Sequence, residues 1–138
     1  LFLLFNNLTK EMDKTMDHVA LGRWGEETAS AFLQKKGWRI IERNVSFPRG
    51  ELDIVAMDKK ELVIVEVRTR SVGRIMPPEE SVGPVKIRRL IRTGFLYIDQ
   101  VQWSGIWRID LVGITCHNNM SSYTVKHYSD ITNGMMLS

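Results

Sequence analysis

The sequence predicts a mixed α/β domain in which helices pack on a β-sheet, with the element order α-β-β-β-α-β-β. Two observations predict this class. Apolar residues recur at helical spacing in two segments, and short β-rich runs bounded by turn residues fill most of the remainder. The length of 138 residues fits one domain, and a hydrophobic fraction of 43% suffices for its core.

The first helix is expected from Val19 to Lys36, where Gly37 ends it. Its stripe follows helical spacing and consists of Leu21, Trp24, Thr28 and Phe32, with Gly25 among them. Glu26 lies at the edge of this stripe, whereas Glu27 points away from it and is expected to be solvated.

Three strands are expected next. Residues 38–45 form the first, and a turn at 48–50 with the sequence Pro-Arg-Gly follows it. Residues 52–57 and 62–69 are β-rich runs, and the sequence Asp-Lys-Lys-Glu at 58–61 joins them as a hairpin.

The second half begins with an expected loop from Ser71 to Gly83, and loops of this length are often functional. Pro84 suits the first turn of a second helix. The apolar face of that helix consists of Ile87, Leu90, Ile91, Phe95 and Ile98. Residues 106–115 read as a strand, and residues 123–128 as a short strand at a sheet edge.

The domain is expected to span residues 17–130. Residues 1–16 are interpreted as a loose leader or a mis-assigned start, and residues 131–138 as a flexible tail. The apolar start, 1–5, is too short to span a bilayer or to act as a signal peptide. Cys116 is the single cysteine and cannot form an internal disulfide. We therefore expect a cytoplasmic protein without membrane association.

The net charge of +3 permits a nucleic-acid partner without requiring one. The distribution of charge along the chain is more informative than the net charge. Four basic residues cluster with no acid between them: Lys86, Arg88, Arg89 and Arg92. A solvated helix face is the simpler interpretation of such a run.

An acidic pair is expected in the hairpin. If Lys59 and Lys60 centre the turn, the register places Asp53 directly opposite Glu66, with Cβ atoms roughly 5 Å apart. Two carboxylates at that spacing repel each other unless one is protonated or a cation lies between them. Mg²⁺ and Mn²⁺ are the hard ions that such oxygens bind. A salt bridge from Glu66 to Arg68 or to a helix arginine is the alternative interpretation.

These residues also carry a family resemblance. The motifs are LGRWGE at 21–26, GELD at 50–53, VEVRTR at 65–70, Lys86, and WRID at 107–110. In this order the chain resembles the YraN-type family of uncharacterised bacterial proteins. That family is grouped with the PD-(D/E)XK nucleases and is similar to archaeal Holliday-junction resolvases. The resemblance covers about residues 21–114 and implies a restriction-endonuclease-like core.

The resemblance assigns roles to individual residues. Asp53 matches the motif aspartate and Glu66 the second acid, and both are expected to bind Mg²⁺ or Mn²⁺. Glu26 matches the helix acid of resolvase-like members and is expected to reach the metal directly or through water. Glu51 is a weaker candidate on the strand of Asp53.

Arg68 departs from the nuclease motif, which has lysine at this position. Arginine is effectively always protonated and cannot act as a general base, although it can bind a phosphate oxygen. Lys86 is a candidate replacement for the lysine, with a plain surface lysine as the alternative. Asp110 is expected to form a structural pair with an arginine, and Trp103 and Trp107 are expected to pack rather than stack on bases.

The predicted function is metal-dependent hydrolysis of a phosphodiester bond in DNA, branched or single-stranded. The expected catalytic residues are Glu26, Asp53, Glu66, Arg68 and Lys86. The expected nucleic-acid-binding residues are Arg49, Arg70, Lys86, Arg89 and Arg92, and their contact with phosphates should weaken with salt. Two alternatives stay open: a non-catalytic nucleic-acid-binding module of DNA processing, and a structural or protein-interaction domain. Resolvase relatives act as dimers, so a homodimer is compatible with the resemblance.

Overall fold

The computed structural model describes residues 18–71, 82–117 and 121–132. Its elements are α1 (His18–Lys35), β1 (Arg39–Phe47), β2 (Gly50–Asp58), β3 (Glu61–Ser71), α2 (Pro84–Val101), β4 (Trp107–His117) and β5 (Ser122–Tyr128). The predicted order is confirmed, and each predicted strand boundary lies within two residues of the observed one. The expected leader, most of the expected loop at 71–83 and residues 133–138 of the expected tail lie outside the described residues.

The five strands form one mixed sheet in the order β1-β2-β3-β4-β5. Strands β1, β2 and β3 are antiparallel neighbours, β3 and β4 are parallel, and β4 and β5 are antiparallel. Parallel neighbours need a crossover, and α2 lies in the chain between β3 and β4. The expected edge position of the last strand is confirmed.

The helices pack on opposite faces of the sheet, because the side chains of the central strands alternate between two apolar clusters. The α1 cluster consists of Ala29, Leu33, Trp38, Ile54, Ala56, Val63, Val65, Val112 and Ile114. The α2 cluster consists of Leu52, Val55, Leu62, Ile64, Leu90, Tyr97 and Ile109. Strands β2 to β4 are therefore buried on both faces, which explains their nearly continuous apolar runs.

Contacts at the rim support this arrangement. The Tyr97 hydroxyl donates a hydrogen bond of 2.6 Å to Glu42 Oε2 and ties α2 to β1. The expected packing of the two tryptophans is confirmed. Trp103 donates to the carbonyl of Ile106, and Trp107 packs edge-on against Phe95. Within the described ranges, neither helix is long and apolar enough to cross a membrane.

Residues 131 and 132 are the described part of the expected flexible tail, and both are packed. The backbone N–H of Ile131 donates to the carbonyl of Ile109 at 2.9 Å, and Thr132 is buried. The Ile131 hydrogen bond holds this segment beside β4.

Helix α1 approaches β3 closely at Gly25. A Cβ atom on Gly25 would lie 2.0 Å from the Thr69 hydroxyl oxygen, whereas a Cβ on Gly22 would have nothing within 4 Å. Gly25→Ala should therefore lower the free energy of unfolding by about 1–3 kcal/mol, because the helix must move off the sheet. Gly22→Ala is the matched control on the same helix and should stabilise by roughly 0.5–1 kcal/mol. Urea denaturation measures both, and an equal response of the two variants would contradict this account.

Candidate active site

The site is built around the hairpin of β2 and β3. Their antiparallel ladder runs from Asp58 opposite Glu61 to Ile54 opposite Val65, which confirms a turn centred on Lys59 and Lys60. The ladder ends there, one step short of Asp53 and Glu66. The two carboxyls are nevertheless close enough for Asp53 to raise the pKa of Glu66. The predicted acids are therefore neighbours, although not a paired step of the ladder.

β2 leaves the ladder at Asp53. Leu52 belongs to the α2 cluster and Ile54 to the α1 cluster, although residues two apart on a regular strand share a face. The strict alternation expected for this strand therefore fails at Asp53. Its Oδ2 instead accepts the backbone N–H of Val67 at 2.9 Å, which satisfies a donor beyond the end of the paired ladder.

Among the acids of the site, Glu66 has the most strongly shifted pKa. It is 5% exposed, and burial raises the pKa of its carboxyl to about 8, with a further contribution from the neighbouring Asp53. The positive charges of Lys86 and Arg68 act to lower the pKa of Glu66. The Lys86 ammonium lies 3.4 Å from Glu66 Oε2, and that oxygen has no hydrogen-bond partner among the described residues. The raised pKa reflects the cost of placing two carboxylates side by side, which a proton or a further cation offsets.

Glu26 approaches the same pair from α1. Burial and the nearby charge of Asp53 raise the pKa of the Glu26 carboxyl, while a hydrogen bond with Asn44 and the charge of Arg43 oppose this effect. The predicted packing of the helix explains the placement, because Ala29 and Leu33 on the same edge are fully buried. Glu27 is exposed, as expected.

The donor set fits a small hard ion rather than a closed cage. No three acidic, histidine or cysteine side chains of the described segments form a group able to hold a metal. Asp53 and Glu66 nevertheless place two carboxylates close together, and Glu66 Oε2 is in an ion pair with Lys86 without a hydrogen bond from any described residue. Mg²⁺ is commonly held by one or two carboxylates and keeps several waters. The predicted metal residues are thus Asp53 and Glu66 close together, with Glu26 as a charged neighbour.

Arginines extend the site along β3. Arg68 and Arg70 follow Glu66 at intervals of two, are half-buried, and have Nε atoms without a hydrogen-bond partner in the described part of the chain. Because these Nε atoms are buried, a phosphate oxygen would bind at the terminal nitrogens of the two half-buried guanidinium groups.

A basic surface borders the site. Arg49, Arg89 and Arg92 are all exposed. Gly50 lies against α2, since a Cβ there would be 2.2 Å from the Thr93 hydroxyl oxygen. That contact brings Arg49 beside the helix segment that carries Arg89 and Arg92. Three of the predicted nucleic-acid-binding arginines, Arg49, Arg89 and Arg92, therefore lie on neighbouring parts of one surface.

Asp110 belongs to a separate buried network, as expected for a structural pair. Arg108 donates to Asp110 Oδ1 at 3.0 Å, and His127 Nε2 lies 2.8 Å from Asp110 Oδ2. Lys36 Nζ contacts the other ring nitrogen of His127 at 2.8 Å. The sequence analysis missed Lys36 and His127 because they are distant from Asp110 in the chain.

Arg43 and Asn44 were also missed as neighbours of the acidic site. Asn44 lies opposite Asp53 in the register of β1 and β2, between the pairs Arg43–Ile54 and Val45–Leu52. It adopts a left-handed conformation with φ of 53°, which asparagine tolerates. Extending the hairpin register across the Pro-Arg turn would have found both residues.

Comparison with known proteins gives one consistent family. The model of "Uncharacterised protein family UPF0102" matches residues 25–114, more than half of the chain. A "UPF0102 protein" of Marinobacter nauticus is 44% identical over 107 residues, which cover 77% of this chain and 86% of that protein.

Two further relatives agree. A "UPF0102 protein" of Cytophaga hutchinsonii is 38% identical over 100 residues, covering 72% of this chain and 88% of that protein. A "UPF0102 protein" of Chlorobium phaeobacteroides is 36% identical over 121 residues, covering 84% and 94%. The matched region contains Glu26, Asp53, Glu66, Arg68 and Lys86.

Proposed function

The chain belongs to the UPF0102 family, and from its site we propose that it is a metal-dependent nuclease that hydrolyses phosphodiester bonds in DNA. The observation that carries the proposal is the close approach of Asp53 to the buried Glu66, whose pKa is raised to about 8 although Lys86 lies 3.4 Å from its Oε2. A buried acidic pair of this kind is costly unless a cation offsets its charge.

The proposed chemistry assigns a task to each residue. Asp53 and Glu66 hold Mg²⁺ or Mn²⁺, and Glu26 adds negative charge that favours the ion. A bound divalent ion supplies Lewis-acid chemistry, since it activates water and offsets charge on the phosphate. Arg68 binds a phosphate oxygen through the terminal nitrogens of its guanidinium group, and Lys86 stabilises the negative charge that develops in the transition state.

The substrate partner is proposed from charge. Arg49, Arg70, Arg89 and Arg92 supply cations along and beside β3, and such contacts track a phosphate backbone without reading sequence. We place this activity in the cytoplasm, in keeping with the single unpaired cysteine.

Calorimetric titration with Mn²⁺, followed by a cleavage assay on branched and single-stranded DNA, tests the proposal. Asp53→Ala should abolish both metal binding and metal-dependent cleavage, with rate losses of about 10²-fold or more. Glu27→Ala is the matched control, because it removes one exposed carboxylate of the same charge and should behave as wild type. Unchanged cleavage by Asp53→Ala would remove the mechanism.

A second function is favoured by one specific observation. Arg68 replaces the lysine of the nuclease motif, and arginine cannot accept a proton from water. The same surface could then serve as a non-catalytic nucleic-acid-binding module. Salt-sensitive DNA binding with no turnover in Mg²⁺ or Mn²⁺ would establish the module and exclude the enzyme.

A further inference from the structure

A cleft of about 320 Å³ lies on the α2 side of the sheet, beside the acidic pair. It is lined by Val82, Ile87, Leu111 and residues 128–131. Its volume is at the lower end of the range of about 300–1,000 Å³ that is usual for small-ligand sites. None of these residues belongs to the site proposed above.

The floor of the cleft adjoins Glu66 directly. Leu111 is the register partner of Glu66 on the neighbouring parallel strand. Both side chains face α2, because each alternates with a member of the α1 cluster, Val65 or Val112. Neighbouring strands are about 4.8 Å apart. Ile87 follows Lys86 on α2, so the cleft and the acidic pair share a border on both elements.

The chemistry of the lining excludes a phosphate and favours a neutral ring. The lining side chains include no lysine or arginine, and Asp130 is the charged one among them. A carboxylate repels phosphate, whereas the apolar walls and the Tyr128 ring suit a flat aromatic group. A nucleotide whose phosphate lies at Glu66 would bring such a group, its base, within reach.

Asp130 is fixed as a hydrogen-bond acceptor at one end of the cleft. Its backbone adopts φ of 49°, and its N–H donates to the buried Asp110 at 2.9 Å. Thr132, itself buried, donates to Asp130 Oδ1 at 2.7 Å. An anchored carboxylate accepts hydrogen bonds from the N–H groups of an unpaired base, which are the amino groups of adenine, cytosine and guanine, N1–H of guanine and N3–H of thymine.

We propose that this cleft binds an unpaired nucleobase, next to the phosphate that is cleaved. The inference rests on the proposed function and narrows its substrate class. A base in a duplex is stacked and its N–H groups are paired, so only an unpaired or flipped base can enter. The substrate is therefore single-stranded DNA, or a branched DNA with an unpaired nucleotide at the cleavage point.

Binding without metal tests the cleft separately from catalysis. A single-stranded oligonucleotide containing 2-aminopurine, which has an exocyclic amino group, should change its fluorescence when it binds the full chain in EDTA. Ser129→Trp fills the cleft from an exposed position and should weaken this binding roughly tenfold, in line with the loss of one stacked base. Ser122→Trp, exposed at the opposite end of β5, is the control and should bind as wild type.

The pairing state of the DNA gives the second readout. An unlabelled single-stranded oligonucleotide should compete at least about fivefold better than the duplex of the same sequence, whose bases are stacked and paired. Ser129→Trp should reduce this preference, because it fills the cleft that receives the unpaired base.

The outcomes separate the two proposals. Equal binding by Ser129→Trp and wild type, or equal competition by single-stranded and duplex DNA, overturns the cleft assignment even if Asp53→Ala abolishes cleavage. A fluorescence change lost in Ser129→Trp, together with wild-type cleavage by Asp53→Ala, supports the cleft and overturns the nuclease mechanism.

Discussion

Arg108→Met is expected to lower the free energy of unfolding by about 3–5 kcal/mol, because it removes the cationic partner of a fully buried carboxylate. Asp110 has 0% exposure, and Arg108 is its hydrogen-bonded cation. Arg108 also contacts Glu61 and Asp58, the latter at 3.1 Å, and so joins the β2–β3 turn to β4. One side chain thus neutralises acids from three positions in the sheet.

The remaining contacts of Asp110 are a histidine ring and a backbone N–H, neither of which carries a permanent charge. Burial acts to raise the pKa of its carboxyl, but hydrogen bonds with His127 and Arg108 and from the backbone N–H of Asp130 hold the pKa below its ordinary value. A lowered pKa means that Asp110 stabilises the fold above its ordinary pKa of 3.8, and that this contribution is lost as the pH falls through the lowered value. Without Arg108 the pKa of Asp110 should rise, and the loss should begin at higher pH.

Urea denaturation at pH 7 measures the effect of Arg108→Met, with Arg88→Met as the control. Arg88 is an exposed arginine on α2, and its replacement should change stability by less than about 0.5 kcal/mol. The double variant Arg108→Met/Asp110→Asn should lose less than the sum of its single variants, since neither charge is then left unpaired. Simple additivity would show that the two side chains do not depend on each other.

The acidic pair was predictable because its geometry is local. A two-residue turn fixes the register of a hairpin, so Asp53 and Glu66 follow from counting outward from Lys59 and Lys60. Lys59 has the positive φ of 55° that such turns require. Buried strands and amphipathic helices were predictable for the same reason. The spacing of apolar residues along a segment shows which face of that segment is buried.

The rest of the site depends on contacts that periodicity does not report. At Asp53 the side chains of β2 change from one face of the sheet to the other. This change occurs opposite Asn44 of β1, which has a left-handed backbone conformation. Lys36 meets His127 across 91 positions of sequence. The cleft exists because β3 pairs with β4 in parallel. Such pairing depends on the crossover connection between the strands, and a local sequence pattern does not show it. Prediction failed where two distant segments had to be placed side by side.

Glu66→Gln is expected to strengthen the fold at alkaline pH and at the same time to abolish metal binding. The two effects have one cause, the burial of an acid beside Asp53. Glutamine has the same shape and can donate an N–H to Asp53, as the protonated glutamate does. Its neutral oxygen is a poor substitute for a carboxylate as a ligand of Mg²⁺ or Mn²⁺.

The sign of the pH effect follows from linkage. The pKa of Glu66 is about 8 in the folded protein, against an ordinary value of 4.5. Between these values the folded state binds more protons than the unfolded state, so stability falls as the pH rises. Below pH 4.5 the carboxyl is protonated in both states and contributes no pH dependence. Above pH 8 the full penalty is present, on the order of a few kcal/mol.

Urea denaturation in EDTA from pH 5 to pH 9 separates Glu66→Gln from wild type. The wild type should lose stability across this range relative to the variant, with curves that meet near pH 5 and diverge by a few kcal/mol at pH 9. Glu27→Gln, an exposed glutamate, should follow the wild-type curve. Parallel curves for Glu66→Gln and wild type would mean that Glu66 is ionised throughout, and that the acidic pair needs no cation. Divergence together with lost Mn²⁺ binding would identify Glu66 as a residue retained for ion binding at the expense of stability.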